Sequence, residues 1–153
     1  MPRRATLSHE TTLLIRDSCL CLHVQRAART LARLFDDAFR DLGVTHGQFS
    51  LLNALNRPSP PGMGDVARLL AMDPTTLSAN VKPLVRAGLL EIRIDAADRR
   101  ARRLALTPAG HALLRRTLPI WKRTHARLDR LTADPQRLRA ELLALSGDSP
   151  VQR

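Results

Sequence analysis

A mainly α-helical fold carrying one small β-hairpin is what this 153-residue sequence predicts, and three observations predict it. Residues 63–86 read as two short helices joined by a turn. Residues 90–106 alternate like a strand, pass through a run of arginines and alternate back. The two ends, 11–42 and 108–146, carry apolar residues at helical spacing over lengths greater than one small module needs to cover. Together these describe a winged helix-turn-helix (45–107) between N- and C-terminal helices suited to joining two copies, all in a single domain spanning 1–153.

Taken in order, residues before Thr11 are expected to form a loose arm, and one long helix is predicted from about Thr11 to Leu42. Leu20, Val24, Ala27, Ala28, Leu31, Leu34, Phe35, Ala38, Phe39 and Leu42 form its stripe, and Gly43 closes it. Thr45-His46-Gly47-Gln48 has capping-box spacing and opens a helix through Phe49, Leu51, Leu52 and Leu55. Pro58, Pro60 and Pro61 then force a loop. Asp65 to Ala71 makes the first helix of the pair, with Val66, Leu69 and Leu70 inward. Asp73-Pro74 opens the second: a capping carboxylate, then a proline where the missing N–H costs nothing.

At 100° per residue, Leu77, Val81, Leu84 and Val85 share the inner face of that second helix. Thr75, Thr76, Ala79, Lys82 and Arg86 lie opposite, with Ser78 and Asn80 on the flanks. Pro83 removes one N–H from the ladder near Ala79, and Gly88 ends the helix. Leu90–Ile94 and Arg103–Leu106 form the hairpin, with Asp95 to Arg102 at its tip. Thr107-Pro108 caps the next helix, on which Leu114, Leu118, Trp121, His125 and Leu128 step like a coiled-coil seam; Pro119 is expected to bend it. Asp134-Pro135 opens a last helix, Gln136 to Leu145, with Leu138, Leu142 and Leu145 on one side, and the tail from Gly147 is expected to fray.

Charge narrows the partners. Lys+Arg number 25 against 14 Asp+Glu, and the +11 balance favours a polyanion. Charge alone would also fit RNA or an acidic membrane surface, so it gains meaning from the helix-turn-helix; aromatic residues are 3% and Tyr is absent, which argues against gripping single strands by stacking. No apolar run reaches the length of a membrane span, Met1-Pro2-Arg3-Arg4 lacks a signal-peptide core, and two cysteines do not make a disulfide scaffold. A cytoplasmic location without membrane contact is expected. No Ser/His/Asp grouping, phosphate-cradling glycine loop or carboxylate pair points to an enzyme or a cofactor. Cys19 and His23 share a helical face, but a structural zinc site wants four ligands, so no metal is expected.

The small, polar and basic face of Thr75, Thr76, Ser78, Ala79, Asn80, Lys82 and Arg86 suits a helix pressed into a major groove. There hydroxyls and amides meet base edges, and Lys82 holds a phosphate. The wing tip carries Asp98, Arg99, Arg100 and Arg102. A carboxylate two residues before Arg100 is expected to pose its guanidinium for a minor groove, while Arg99 or Arg102 touches the backbone. Cys19 and Cys21 read first as small buried hydrophobes; two apart on a helix, they point away from each other, so a disulfide between them would distort it.

At Asp98-Arg99-Arg100 followed by Leu106-Thr107-Pro108-Ala109-Gly110 the sequence resembles the MarR family of bacterial transcription regulators; these residues are similar to its Asp-x-Arg and Leu-Thr-x-x-Gly signature. Asp65-Val66-Ala67-Arg68-Leu69-Leu70 and Thr75-Thr76-Leu77-Ser78 also fit, and the likeness extends over about Leu20 to Leu145. The resemblance implies a homodimeric repressor or activator, with repressor the leading reading, that binds a pseudo-palindromic double-stranded operator and is often released from it by a small ligand or by oxidation. Two-fold symmetry sets half-sites one helical turn, ~34–36 Å, apart, and regulation changes the distance between the reading heads. Family architecture also implies a pocket lined by Phe39, Phe49, Leu52, Trp121 and His125. Cys21 to Arg29 falls in register with the reactive-cysteine segment of hydroperoxide-sensing relatives, without the tyrosines those sensors use, so a thiol-based redox protein or sensor using Cys21 is the alternative. Ala79 departs from the arginine many relatives carry in the reading helix, replacing a guanine contact with a methyl that packs on thymine.

Overall fold

Capping side chains set most of the helix starts in the computed structural model, which describes residues 6–147. The chain divides into two compact units, with the boundary between Leu34 and Phe35. The tail beyond Gly147 and the first five residues of the expected arm lie outside the described residues.

In the first unit, Ser8 accepts the Thr11 N–H and starts helix α1 (His9–Ser18), so residues predicted as the end of a loose arm are helical. The single long helix predicted from Thr11 is broken at Cys19, whose backbone is extended (φ −73°, ψ 102°). Its N–H still closes α1 on the Ile15 carbonyl at 2.9 Å. Its Sγ accepts the Leu22 N–H at 3.4 Å, and its carbonyl accepts from the His23 ring Nδ1 at 2.8 Å. One residue thus ends α1 and caps α2 (Leu20–Phe39), the thiol taking the place of a serine hydroxyl. Cys19 and Cys21 therefore do not share a helix as expected, and both thiols are free, Cys19 Sγ on the Leu22 N–H and Cys21 Sγ beside the Gln25 amide. Leu14, Ile15, Leu20, Val24 and Leu31 remain exposed.

The second unit opens with the last turn of α2, where Phe35 and Phe39 are buried. A 3-10 turn, Arg40–Leu42, ends on Gly43 in the left-handed region (φ 66°). Thr45 and Gln48 close their capping box at the start of α3 (His46–Ala54), which buries Leu51 and Leu52. α4 (Met63–Leu69) begins two residues before the predicted Asp65, because the Asp65 carboxylate reaches back to the Gly62 N–H at 3.3 Å. The shift puts Ala67 beside Val66 in the core and leaves Leu69, expected inward, 51% exposed. α5 (Pro74–Arg86) continues through Pro83 and buries Leu77, Val81 and Leu84, while Val85 sits on the rim of the stripe and is exposed.

β1 (Leu90–Ile94) and β2 (Arg102–Leu106) pair antiparallel, Leu90 opposite Leu106 and Ile92 opposite Leu104. The proline loop adds a short third edge: Gly62 bridges to Arg103, and the Leu104 N–H donates to the Pro61 carbonyl at 2.9 Å. α6 (Pro108–Leu128) runs unbroken through Pro119. Its buried face is Gly110, Leu113, Thr117 and Thr124 rather than the predicted seam, of which Leu118 is exposed and the rest half-buried. Small residues on that face allow close approach, and Thr117 satisfies its own hydroxyl on the Leu114 carbonyl at 2.8 Å. α7 (Pro135–Leu145), capped by Asp134, buries nothing and leaves Leu138, Leu142, Leu143 and Leu145 exposed. Among the described residues, no helix is long and apolar enough to cross a membrane.

Candidate nucleic-acid interface

The α4–turn–α5 pair presents its second helix outward. Asp73 caps α5 with both oxygens: one accepts the Thr76 N–H at 2.9 Å, the other the Thr76 hydroxyl at 2.5 Å. Those bonds hold the Asp73 carboxyl below the usual carboxylate range, the hydroxyl bond contributing most. With Leu77, Val81 and Leu84 anchored in the core, Thr75, Thr76, Ala79, Asn80, Lys82 and Arg86 are exposed and Ser78 is half-buried. The Asn80 amide also touches Met72 Sδ at 3.8 Å.

The wing is built differently from its prediction. Asp98 does not hold the Arg100 guanidinium; its Oδ1 accepts the Arg100 backbone N–H at 2.9 Å, because a carboxylate in a tight turn reaches the amide two residues on more directly than a long side chain. The organising carboxylate is Asp95. It accepts the Ala97 and Asp98 N–H groups at 2.7 and 3.2 Å, and pairs with Arg103 Nε at 2.5 Å. Arg103 comes first among the causes that hold the Asp95 carboxyl below its ordinary value, followed by those two amides. Arg103 also reaches the Pro60 carbonyl at 3.4 Å, tying the tip of the wing to the proline loop. Arg102 folds back on the carbonyls of Arg99 and Ala101 at 3.0 and 3.4 Å. Arg99 and Arg100 are exposed on the tip. The signal for Asp95 was present as an Asp at the start of a turn, one register step beyond the Ile94–Arg102 pair.

A lock joins the wing, α5 and α6. Thr107 caps α6 by accepting the Gly110 N–H at 3.1 Å, and its hydroxyl donates to the Gly88 carbonyl at 2.6 Å. Its own N–H donates to the Leu89 carbonyl at 3.2 Å. A Cβ on Gly110 would lie 2.1 Å from that same carbonyl oxygen, so only glycine lets the helix start sit there. The Leu-Thr-x-x-Gly motif is therefore the joint that fixes the end of α5 against the start of α6.

Between α3 and α6 lies a cavity of about 440 Å³, lined by Phe49, Asn53, Asn56, His111, Leu114, Arg115, Leu118 and Trp121. Of the five predicted lining residues, Phe49 and Trp121 face it. Phe39 and Leu52 do not: both are fully buried in the core, where apolar spacing alone cannot tell a lining position from a packed one. His125 packs between Trp121 and Phe35, ring centroids 4.3 and 5.0 Å away, behind the lining. Burial, then the nearby Arg139 charge, pushes the His125 pKa below its ordinary value. The polar lining of Asn53, Asn56, His111 and Arg115 carries no sequence motif, which is why it went unread.

Cys21 is exposed and its Sγ lies 3.2 Å from the Gln25 amide nitrogen; Cys19 is half-buried. Among the described residues, no three His, Cys, Asp or Glu converge as a metal site.

A family model described as MarR family matches residues 42–101. The M. tuberculosis transcriptional regulator MosR, in a structure with DNA, is 31% identical with a TM-score of 0.79, the match covering 89% of this chain and 99% of that one. A probable transcriptional regulator from Pseudomonas aeruginosa is 27% identical (TM-score 0.76), covering 84% and 98%. BpsR of Bordetella bronchiseptica, described by the regulation of its DNA binding by 6-hydroxynicotinic acid, is 25% identical (TM-score 0.68), covering 82% and 96%. A search of curated protein sequences gave no match.

Proposed function

This chain belongs to the MarR family of DNA-binding transcription regulators, and on that premise we propose that it is a homodimeric, cytoplasmic repressor of a pseudo-palindromic operator, released by a small ligand. The observation that carries the reading is the two-sidedness of α5. Three aliphatic side chains fix it to the core while Thr75, Thr76, Ala79, Asn80, Lys82 and Arg86 face out, with Arg99 and Arg100 on the wing beside it in sequence. Such a helix enters a major groove, and an arginine tip enters the flanking minor groove. The exposed leucines of α1 and α2, and separately those of α6 and α7, are the surfaces offered to a second copy. The 440 Å³ cavity is in the size range of small-molecule sites, and its arginine, histidine and amides beside Trp121 and Phe49 suit a small aromatic effector.

Selection from a randomised duplex library, followed by fluorescence anisotropy on the selected and scrambled duplexes, tests the reading. A two-fold consensus bound at least tenfold more tightly than the scrambled duplex is expected. Equal affinity for both makes the protein a sequence-blind basic scaffold and refutes it.

A second reading, release by oxidation, is favoured by the exposed Cys21 thiol and its Gln25 contact. Mass spectrometry after mild peroxide separates its forms. One stoichiometric oxidation of Cys21 that weakens operator binding fits a sensor, sustained peroxide turnover fits a thiol redox enzyme, and an unmodified Cys21 removes both.

A further inference from the structure

Thr76 stands on the exposed side of the first turn of α5, the part of a reading helix that meets base edges. A threonine hydroxyl ordinarily recognises either kind of base atom, because it carries one proton to donate and two lone pairs to accept with. Here the proton has a fixed destination. Asp73 Oδ2 lies 2.5 Å from Thr76 Oγ1, while Oδ1 of the same carboxylate is bound to the Thr76 N–H. An ionised carboxylate has no hydrogen to give, so the hydroxyl is the donor in that contact. The two bonds support each other: the backbone bond places the carboxylate, and the carboxylate fixes the rotamer and the hydroxyl rotor.

We propose that Asp73 turns Thr76 into an acceptor-only reader, which selects a base presenting an exocyclic amino group, adenine N6 or cytosine N4, at its position in the major groove. This inference rests on the DNA-reading function of α5 and deepens it by naming what one residue reads. The discrimination is between transitions. Facing a purine, the oxygen accepts from adenine N6 but is repelled by guanine O6; facing a pyrimidine, it accepts from cytosine N4 but is repelled by thymine O4. The same hydrogen bonds keep Asp73 ionised at neutral pH, so the polarity is stable under physiological conditions.

The lock can be released by one substitution. In Asp73→Asn the amide oxygen keeps capping the Thr76 N–H, since Asn caps as well as Asp. The amide NH₂ then donates to Thr76 Oγ1 and frees the hydroxyl proton to point outward.

The experiment is selection from a randomised duplex library with the full-length protein, in parallel for wild type, Thr76→Val, Thr76→Ser and Asp73→Asn, with circular dichroism confirming the fold of each. Wild type and Thr76→Ser are expected to share a symmetric pair of positions that prefers A over G, or C over T, about fivefold, the worth of one net hydrogen bond. Thr76→Val levels that preference and leaves the rest of the consensus in place. Asp73→Asn relaxes it, because the freed hydroxyl can donate to guanine O6 or thymine O4 as well as accept from an amino group. The proposal is overturned if the position levelled by Thr76→Val favours G or T in the wild type. It is also overturned if a consensus persists with no position sensitive to Thr76→Val, or if Asp73→Asn leaves the preference as it was. Failure of every variant and the wild type to yield any consensus would instead remove the sequence-reading function itself.

Discussion

Replacing Gly110 by alanine sets helix propensity against packing, and the structure says which wins. Propensity favours the change by about 1 kcal/mol at most, because alanine loses less backbone entropy on entering a helix. Against it, the new Cβ would lie 2.1 Å from the Leu89 carbonyl oxygen, 3.1 Å from Leu106 Cδ2 and 3.2 Å from the Leu89 carbonyl carbon. The leucine methyl can turn away; the carbonyl cannot. It must retreat more than about 1 Å to reach ordinary contact, yet it accepts the Thr107 N–H while the adjacent Gly88 carbonyl accepts the Thr107 hydroxyl. Losing those two bonds costs about 1 kcal/mol each, and overpacking adds about 1–3 kcal/mol. After subtracting the propensity gain, Gly110→Ala is expected to destabilise by about 2–4 kcal/mol, lowering Tm by about 5–15 °C in a chain of this size. Equilibrium urea unfolding followed by circular dichroism measures it. Gly47→Ala in the first turn of α3, where an added Cβ meets nothing within 4 Å, is the control and should be neutral or slightly stabilising. A Gly110→Ala protein as stable as wild type would refute the argument that this glycine is kept for close approach.

Arg100→Ala is expected to weaken operator binding and, if the side chain neutralises one phosphate, to lower the slope of log K against log salt by ~0.9; an unchanged slope in anisotropy titrations denies it that charge contact. Asp95→Ala unties the wing tip from Arg103. The pair is part-exposed, so unfolding stability should fall only slightly, while the loosened tip lowers DNA affinity; a loss in stability with no loss in affinity would show the tip geometry to be irrelevant. The lowered pKa of His125 means that the folded state resists its protonation. Stability is therefore fully present above the ordinary histidine value and falls as pH drops through about 6.5 towards the lower folded value. His125→Phe should flatten that acid-side decline in urea unfolding, and a decline of the same size in the variant assigns it elsewhere. Trp121 is the one tryptophan, so a small aromatic acid entering the α3–α6 cavity should quench intrinsic fluorescence saturably; Arg115→Ala should raise the half-saturating concentration, and quenching that never saturates excludes a site there.

Patterns that depend on the backbone alone were readable in advance. The inner face of α5, the Thr45–Gln48 capping box, the strand pairing and the Thr107-Pro108 and Asp134-Pro135 helix starts all follow from spacing and capping chemistry. What escaped depends on atoms meeting at a distance or on unusual donors. A sulfur cap at Cys19 has no common sequence signal, so periodicity ran straight through the break. The carboxylate that organises the wing is Asp95 rather than Asp98, because Asp95 lies two residues beyond Arg93, the partner of Arg103 in the ladder, and so meets Arg103 diagonally on the same face. On α6 the apolar seam has the spacing of a buried face, yet the residues buried are Gly110, Leu113, Thr117 and Thr124, and the close approach is at Gly110. Phe39 and Leu52 were placed in a pocket because a large apolar side chain has the same spacing whether it lines a cavity or fills a core.

The position of the cavity relative to the lock bears on how an occupant reaches the reading helix. His111 and Arg115 line the cavity from the first two turns of α6, and Thr107 and Gly110 in that same first turn hold the Gly88 and Leu89 carbonyls. Gly88 and Leu89 are the exit of α5, so its C-terminal end is fixed to α6 by two hydrogen bonds and by a contact too close to tolerate a methyl group. A rigid joint of this kind passes on a displacement rather than absorbing it. On the proposed effector function, an anion that drew His111 or Arg115 towards it would move the start of α6, and α5 with it. On that same proposed function, DNA holding α5 would also hold the cavity wall, so DNA and effector would each weaken the other's binding by the same factor if the effector prefers the displaced state.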